Sequence, residues 1–531
     1  MPNRTRLIIF GIDGATWDLM DPWLEAGLLP NLAQVVRTGC RAPLRSIIPP
    51  ITGCAWPTIM TGTNPGKHGM FGLSTYGTDY RARPVSNLDR QAPVLWEMLG
   101  ELGCSVAVYN VPITYPPDRV RGVFVSGEMG AVEFDPSMFQ PQGLFDEVFG
   151  VVPDYVIAPL KPDADGYDLD ALRRQVEARR KTAVYLLEKH PADVFIAVVN
   201  YVDHISHFFW QTRAYGEFED LLLWGYQQAD QLLGELMEVA GEGAAVMLLS
   251  DHGFGSVAGF LDLNALLAQL GFLKVRDPAP ERGRARSLAA RAYRTFLRPL
   301  LSDDRRESVH RSLGGGGLPF DPARTRAYQA GPFLCARLNL KGREIHGRVA
   351  PADQHRMCAD IAEALNEVTN PFSGDKDLGA FAAAGYYHGP YTGLGPDILG
   401  VPQGFSLDQA GIPGNFDRPF LTREDLRAAG NNLASRQATH RMHGILACRL
   451  PSEAAALTVE VPELVDITPT ALALLSLPLP AHLDGRVVLD VPEERDTQTH
   501  AWQPARPDSE AAYTDEERRT VERRLRDLGY L

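Results

Sequence analysis

The sequence contains no apolar run of about 18 residues, the length a membrane-spanning helix needs. It has no CxxC pair either. Its six cysteines, Cys40, Cys54, Cys104, Cys335, Cys358 and Cys448, are scattered, the pattern of reduced thiols in a cytoplasmic protein. Basic residues are in deficit: 52 Lys and Arg against 66 Asp and Glu leave a formal charge of −14. A stable nucleic-acid contact is therefore not expected, because phosphate-rich partners need a basic surface. A small phosphate substrate is still open, since a local metal site can outweigh the global field. The start, "MPNRTRLIIFGIDGA", has only a short apolar stretch ending in Asp13 and lacks a small-residue cleavage site, so no secretory leader is expected. No internal repeat is evident.

What is present is ordinary globular composition, 45% hydrophobic and 22% charged, in a chain of 531 residues. That length exceeds what one hydrophobic core usually supports, so two lobes or a core with a large insertion are expected. "RLIIFGID" reads as a buried parallel strand with a carboxylate at its C-terminal edge. Similar runs recur at 104–111, 122–127, 193–203 and 244–253, separated by amphipathic stretches such as 168–190 and 217–240. Alternating strands and helices predict an α/β protein with a central, mostly parallel sheet flanked by helices. Past residue 256 the chain becomes basic (282–298), then Gly-rich ("GGGG", 314–317), then loop-rich. Strand-like patterning resumes at 443–450 and 456–461, followed by a short helix in "TPTALALLSL". This predicts a discontinuous core of 1–255 and 431–495, an inserted cap at 256–430, and a tail at 496–531 with an amphipathic helix. The basic stretch 282–298 reads as a solvated or cap-packed face.

Acids and histidines gather at the predicted strand ends: Asp13 in "GIDG", Asp203 and His207 in "YVDHISH", Asp251 and His252 in "LLSDHGF". His440 and His443 follow in "THRMHG". In open parallel sheets ligands bind outside the carboxyl ends of the strands. A lone strand-end Asp is commonly a cap or turn residue, but the joint pattern points to a metal site. Carboxylates with imidazoles suit Zn²⁺, Mn²⁺ or a related ion better than Ca²⁺. Such ions would also activate an alcohol, and "PPITGCAWPTIMTGTNPGKHG" (49–69) offers Thr52, Cys54 and Thr58. Thr58 and Thr61 read as helix-interior and turn residues, with the helix starting near Trp56. Lys67 reads as solvated.

Taken together, "IDG", "PPITGCAWPTIMTGTNPGKHGMFG", D-x-x-x-H, "SDHG", "HRMHG" and "VDITPTALALLSLPLPAHLDGRVV" resemble the alkaline phosphatase superfamily, within it the type I phosphodiesterase/nucleotide pyrophosphatase branch. The resemblance covers most of the chain. It implies an alkaline phosphatase-like sandwich, two divalent ions (Zn²⁺, with Mn²⁺ an alternative) and a threonine or serine nucleophile, which Thr52 matches. Asp13, Asp251 and His252 match the ligands of the ion that also binds Thr52. Asp203 and His207 match ligands of the other, completed by His440 in preference to His443. His204 falls at a non-ligand position, surface or supporting. Cys54 lacks the Pro and Arg of the sulfatase motif and reads as a buried thiol. Related phosphodiesterases carry Phe-Pro-Asn-His where this chain has Gly53-Cys54-Ala55-Trp56. They also place an Asn in the region that reads Phe71-Gly72-Leu73-Ser74 here, which leaves the oxyanion donor unassigned, with the backbone N–H of Thr52 or Gly53 a candidate.

The implied reaction is hydrolysis of a small-molecule phosphodiester or phosphoanhydride through a phospho-threonine. Alternatives are a phosphomonoesterase or phosphomutase, a phosphonate hydrolase, and a non-catalytic binding protein retaining the fold.

Overall fold

The computed structural model describes residues 5–127, 130–131, 133–155, 157, 168–276, 318–401, 407–412, 414–451, 455–491, 497–498 and 512–527. The basic stretch 282–298 and the glycine run 314–317 lie outside them.

The strands that organise the molecule are β1 (Leu7–Ile12), β2 (Cys40–Arg45), β3 (Val106–Tyr109), β4 (Gly122–Val125), β5 (Phe139–Gln140), β6 (Val194–Val199), β7 (Ala245–Leu249), β8 (Gly253–Ser256), β9 (Ala438–Arg441) and β10 (His443–Arg449). The helices used below are α1 (Thr52–Thr61), α2 (Leu95–Glu101), α3 (Leu169–Lys189), α4 (Tyr201–Phe209), α5 (Leu221–Ala240) and α6 (Ile467–Leu474). Eight strands form the main sheet in the order β2-β10-β7-β1-β6-β3-β4-β5. The run from β7 to β4 is parallel. β10 is inserted antiparallel between β2 and β7, and β5 closes the far edge antiparallel to β4.

Every residue of β1 is buried, as a strand covered on both faces requires. Its side chains alternate: Ile8, Phe10 and Ile12 enter one apolar cluster with residues of α3, α4 and α5. Leu7 and Ile9 enter the other with residues of α1, α2 and α6. The fold is thus an α/β sandwich with its ligand edge at the carboxyl ends of β1, β6 and β7.

Between β8 and β9 the chain builds a separate four-stranded sheet, in the order Ala327–Gln329, Ala336–Leu338, Ile398–Gly400, Ala380–Ala382. A helix at Gln354–Asn366 packs on it, and the two share an apolar cluster that also takes in Tyr80 from the first part of the chain.

Three local expectations are corrected. The 456–461 segment is not a strand; it makes a single bridge, Leu457 to Leu489. α1 begins at Thr52, one turn earlier than expected, despite Gly53 and the interior Pro57. All ten of its residues are buried, so tertiary packing overrides the two helix breakers. Asp203 and His207 lie not on a strand end but on α4, the helix that follows β6.

Candidate active site

β1 ends at Ile12, and Gly14 turns with φ +72°, a backbone state that L side chains rarely adopt. Asp13 is left at the sheet edge, 1% exposed. Asp251 and His252 follow β7 after Ser250, both fully buried. On α4, Asp203 and His207 stand at i and i+4, hence on one face of the helix. β9 pairs antiparallel with β8, setting His440 opposite Phe254. Thr52 opens α1 and is 2% exposed.

These residues converge. Thr52 Oγ1 is 3.4 Å from His252 Nε2. That nitrogen lies 3.4 Å from Asp13 Oδ1 and 3.3 Å from Asp251 Oδ2. His440 Nε2 is 3.3 Å from Asp203 Oδ1 and 3.2 Å from His207 Nε2. Two groups of three can hold a metal ion, Asp203 with His207 and His440, and Asp13 with Asp203 and His252. His443 sits exposed at the start of β10.

The imidazoles show what the site is built for. His252 Nδ1 contacts the Gly253 carbonyl at 3.1 Å, His207 Nδ1 the Ala438 carbonyl at 3.0 Å, and His440 Nδ1 the Pro50 carbonyl at 2.8 Å. A carbonyl only accepts, so each Nδ1 carries a proton and each ring turns its Nε2 inward. Burial, together with the nearby Arg436 for His207 and His440 for His252, pushes the proton affinity of both rings well down. Facing these nitrogens are Asp13 Oδ1, Asp203 Oδ1 and Asp251 Oδ2, buried carboxylate oxygens with no hydrogen-bond partner. Burial and the Asp203 charge raise Asp251 to about 8; burial, with Asp251 and Asp203, also pushes Asp13 up. Burial works to raise Asp203 too, but His207 and His440 hold it well below the usual carboxylate range. Nε2 nitrogens and unpartnered carboxylate oxygens lie 3.3–3.4 Å apart and two imidazoles meet at 3.2 Å, a buried nitrogen and oxygen donor set that fits divalent metal.

Several supporting groups escape a reading of the sequence. Trp56, one helical turn after Thr52, donates its indole N–H to Asp13 Oδ2 at 3.1 Å. Ser46 Oγ donates to the Asp251 carbonyl at 2.7 Å, and Ser250 Oγ to the His252 carbonyl at 2.6 Å. From the inserted region, the Phe333 ring stands 6.4 Å from His440. Only the i, i+4 spacing of Thr52 and Trp56 was a local signal; the rest are long-range contacts. His204 is buried rather than at the surface. Cys54 is buried, and Thr58 lies inside α1, its hydroxyl donating to the Cys54 carbonyl. Lys67 is not simply solvated: it pairs with Asp484 at 2.5 Å.

Helix α1 gives the region after Thr52 a further constraint. Its first backbone bonds run from the Cys54 and Ala55 N–H groups to the Ile51 carbonyl at 2.8 and 2.9 Å. The N–H groups of Thr52 and Gly53 therefore stand at helical positions without an intrahelical acceptor, at the positive end of the helix dipole. A Cβ on Gly53 would lie 2.6 Å from the Gly72 carbonyl carbon. Glycine at position 53 is what lets the 72–73 chain pass.

Among the described residues no helix is long and apolar enough to cross a membrane. No curated protein sequence matches the chain. Among solved structures it resembles phosphonoacetate hydrolase from Sinorhizobium meliloti 1021 in complex with phosphonoformate, at 15% identity and TM-score 0.51 over 88% of this chain and 94% of that one. It also resembles human ectonucleotide pyrophosphatase/phosphodiesterase 5, at 12% identity and TM-score 0.47 over 89% and 95%. The type I phosphodiesterase / nucleotide pyrophosphatase family matches residues 7–393, a span that runs from β1 through Asp13, Thr52, Asp203, His207, Asp251 and His252. The chain belongs to that family and is a hydrolase.

Proposed function

We propose that the protein hydrolyses phosphodiester or phosphoanhydride bonds of a small molecule through a phospho-threonine at Thr52, with two divalent ions, zinc or manganese. Asp13, Asp251, His252 and Thr52 would hold one, and Asp203, His207 and His440 the other, with Asp203 placed to reach both. Bound there, divalent ions supply Lewis-acid charge neutralisation and make the threonine hydroxyl easier to ionise. One observation carries the reading: inward Nε2 nitrogens and unpartnered carboxylate oxygens meet beside a buried threonine hydroxyl.

The chain's own residues account for the rest. α1 fixes Thr52 Oγ1 at the sheet edge, ready for in-line attack on phosphorus. As the Oγ1–P bond forms, the P–O bond to the leaving group breaks on the opposite side. Charge developing on the non-bridging oxygens faces the N–H groups of Thr52 and Gly53 at the helix start. Attack by water then breaks the Oγ1–P bond and restores the hydroxyl. Residues 256–430, which bring Phe333 to His440, would cover the leaving group and set substrate choice.

Thr52→Ala should abolish turnover of bis-p-nitrophenyl phosphate while leaving metal content unchanged. Surviving activity would show that another group is the nucleophile. A second reading, phosphonate cleavage on the same site, draws support from the likeness to phosphonoacetate hydrolase. A kinetic panel of phosphodiesters, nucleotide pyrophosphates, phosphomonoesters, phosphonates and sulfate esters on metal-reconstituted protein separates the two.

A further inference from the structure

We propose that Cys40 and Cys448 form a reversible, peroxide-responsive dithiol across the edge of the main sheet, with Cys40 the attacking and Cys448 the resolving thiol. The two residues are direct partners in the antiparallel β2–β10 ladder. Six residues along the same ladder, Ser46 N–H donates to the Met442 carbonyl at 2.7 Å. Bonded and non-bonded pairs alternate in such a ladder, so an even offset makes Cys40–Cys448 a bonded pair as well. Pro43, which has no N–H, falls accordingly on a non-bonded pair with Ile445. In bonded pairs the Cα atoms are about 5.5 Å apart, inside the range a disulfide bridges.

The two sulfurs differ in the way such a pair needs. Cys40 is half-buried on the edge strand, whereas Cys448 is fully buried one strand in. A thiol–thiol hydrogen bond from Cys448 pulls the Cys40 proton affinity down, against burial, and raises that of Cys448. The other four thiols are all pushed up by burial: Cys54, Cys104, Cys335 and Cys358. Thiolate is the reactive form, so oxidation should select Cys40.

The oxidant is hydrogen peroxide. The Cys40 thiolate attacks one peroxide oxygen and the O–O bond breaks, giving a sulfenic acid and hydroxide, which takes up the thiol proton as water. Cys448 sulfur then attacks the Cys40 sulfur, the S–O bond breaks, and a second water leaves. Two thiols and one peroxide become one disulfide and two waters, and dithiothreitol reverses the change. The bridge would clamp the strand that leads to Ser46 and Thr52 onto the strand that follows His440.

The test uses the full reduced chain exposed to peroxide, with thiol counting and non-reducing peptide mapping. Free thiols should fall from six to four, with Cys40 and Cys448 peptides linked and both restored by dithiothreitol. In Cys448→Ser, Cys40 should be trapped as a dimedone-reactive sulfenic acid. In Cys40→Ser, Cys448 should stay unmodified under the same exposure. An unchanged thiol count, a different linked pair, or Cys448 oxidised as readily without Cys40 overturns the proposal. Should either variant fail to fold, the peptide map of the unaltered chain still decides.

Discussion

Asp13 divides its two oxygens between tasks: Oδ2 accepts from Trp56, while Oδ1 faces His252 Nε2. The indole bond lowers the Asp13 proton affinity against burial and two neighbouring carboxylates. Trp56→Phe keeps most of the bulk and removes the donor. Affinity for the ion Asp13 would hold should fall about 10- to 100-fold, the usual effect of losing an outer hydrogen bond to a ligand. Competition with a chromophoric chelator measures this independently of turnover. A purely packing role would leave that affinity unchanged. His68 offers a separate prediction away from the ligands. It is fully buried, with Nε2 3.0 Å from Thr58 Oγ1 and Nδ1 accepting from the Met70 N–H at 3.2 Å. Burial pushes its pKa from 6.5 down to about 3. Between those values the unfolded chain binds a proton that the folded chain refuses. Stability is therefore fully present above pH 6.5 and lost as pH falls towards 3, by up to about 1.4 kcal/mol per pH unit. Thermal melts at pH 7.5 and 5.5 on the native chain and on His68→Gln should show a smaller pH dependence in the variant. Much of the Asp and His cluster was legible because Asp13, Asp251 and His252 sit beside strands that announce themselves. The carbonyls that aim the imidazoles were not, since they come from 231 and 390 residues away for His207 and His440.

At the scale of elements, the D-x-x-x-H spacing was readable as a shared helix face only once α4 was known to be a helix. α1 was harder: Gly53 and Pro57 are breakers by propensity, and only complete burial explains a helix that starts at Thr52. The close approach of the 72–73 chain makes Gly53 a sharp test. Gly53→Ala would place a Cβ 2.6–2.7 Å from backbone atoms of Gly72 and Leu73, which cannot swing aside like a side-chain tip. Overpacking of this kind costs about 1–3 kcal/mol. Thermal melts should show that loss, and kcat should fall more than KM changes, because the displaced helix start carries Thr52. The failed 456–461 strand teaches the converse lesson. Alternating apolar residues there had no strand edge to join, and Leu457 finds only Leu489.

For the whole molecule, the sequence indicated a parallel α/β sandwich but not its order. Nothing local says that β10, nearly two hundred residues beyond β7, is inserted between β7 and β2. Non-local pairing of this sort leaves no periodic trace. The same sheet edge brings Asp203 from α4 into both ligand groups. Asp203→Asn should therefore lower bound metal by both ions per chain, whereas Asp251→Asn should lower it by one, as read by elemental analysis after gel filtration. Equal losses from the two variants would contradict this. A shared carboxylate means that the two positions are not independent receptors. Whichever cation arrives first neutralises the charge the second would have met and fixes the orientation it will find. Loading should thus follow a coupled isotherm rather than the sum of two simple ones, and a partly metallated preparation should hold chains with differently primed second positions, not a uniform half-active enzyme.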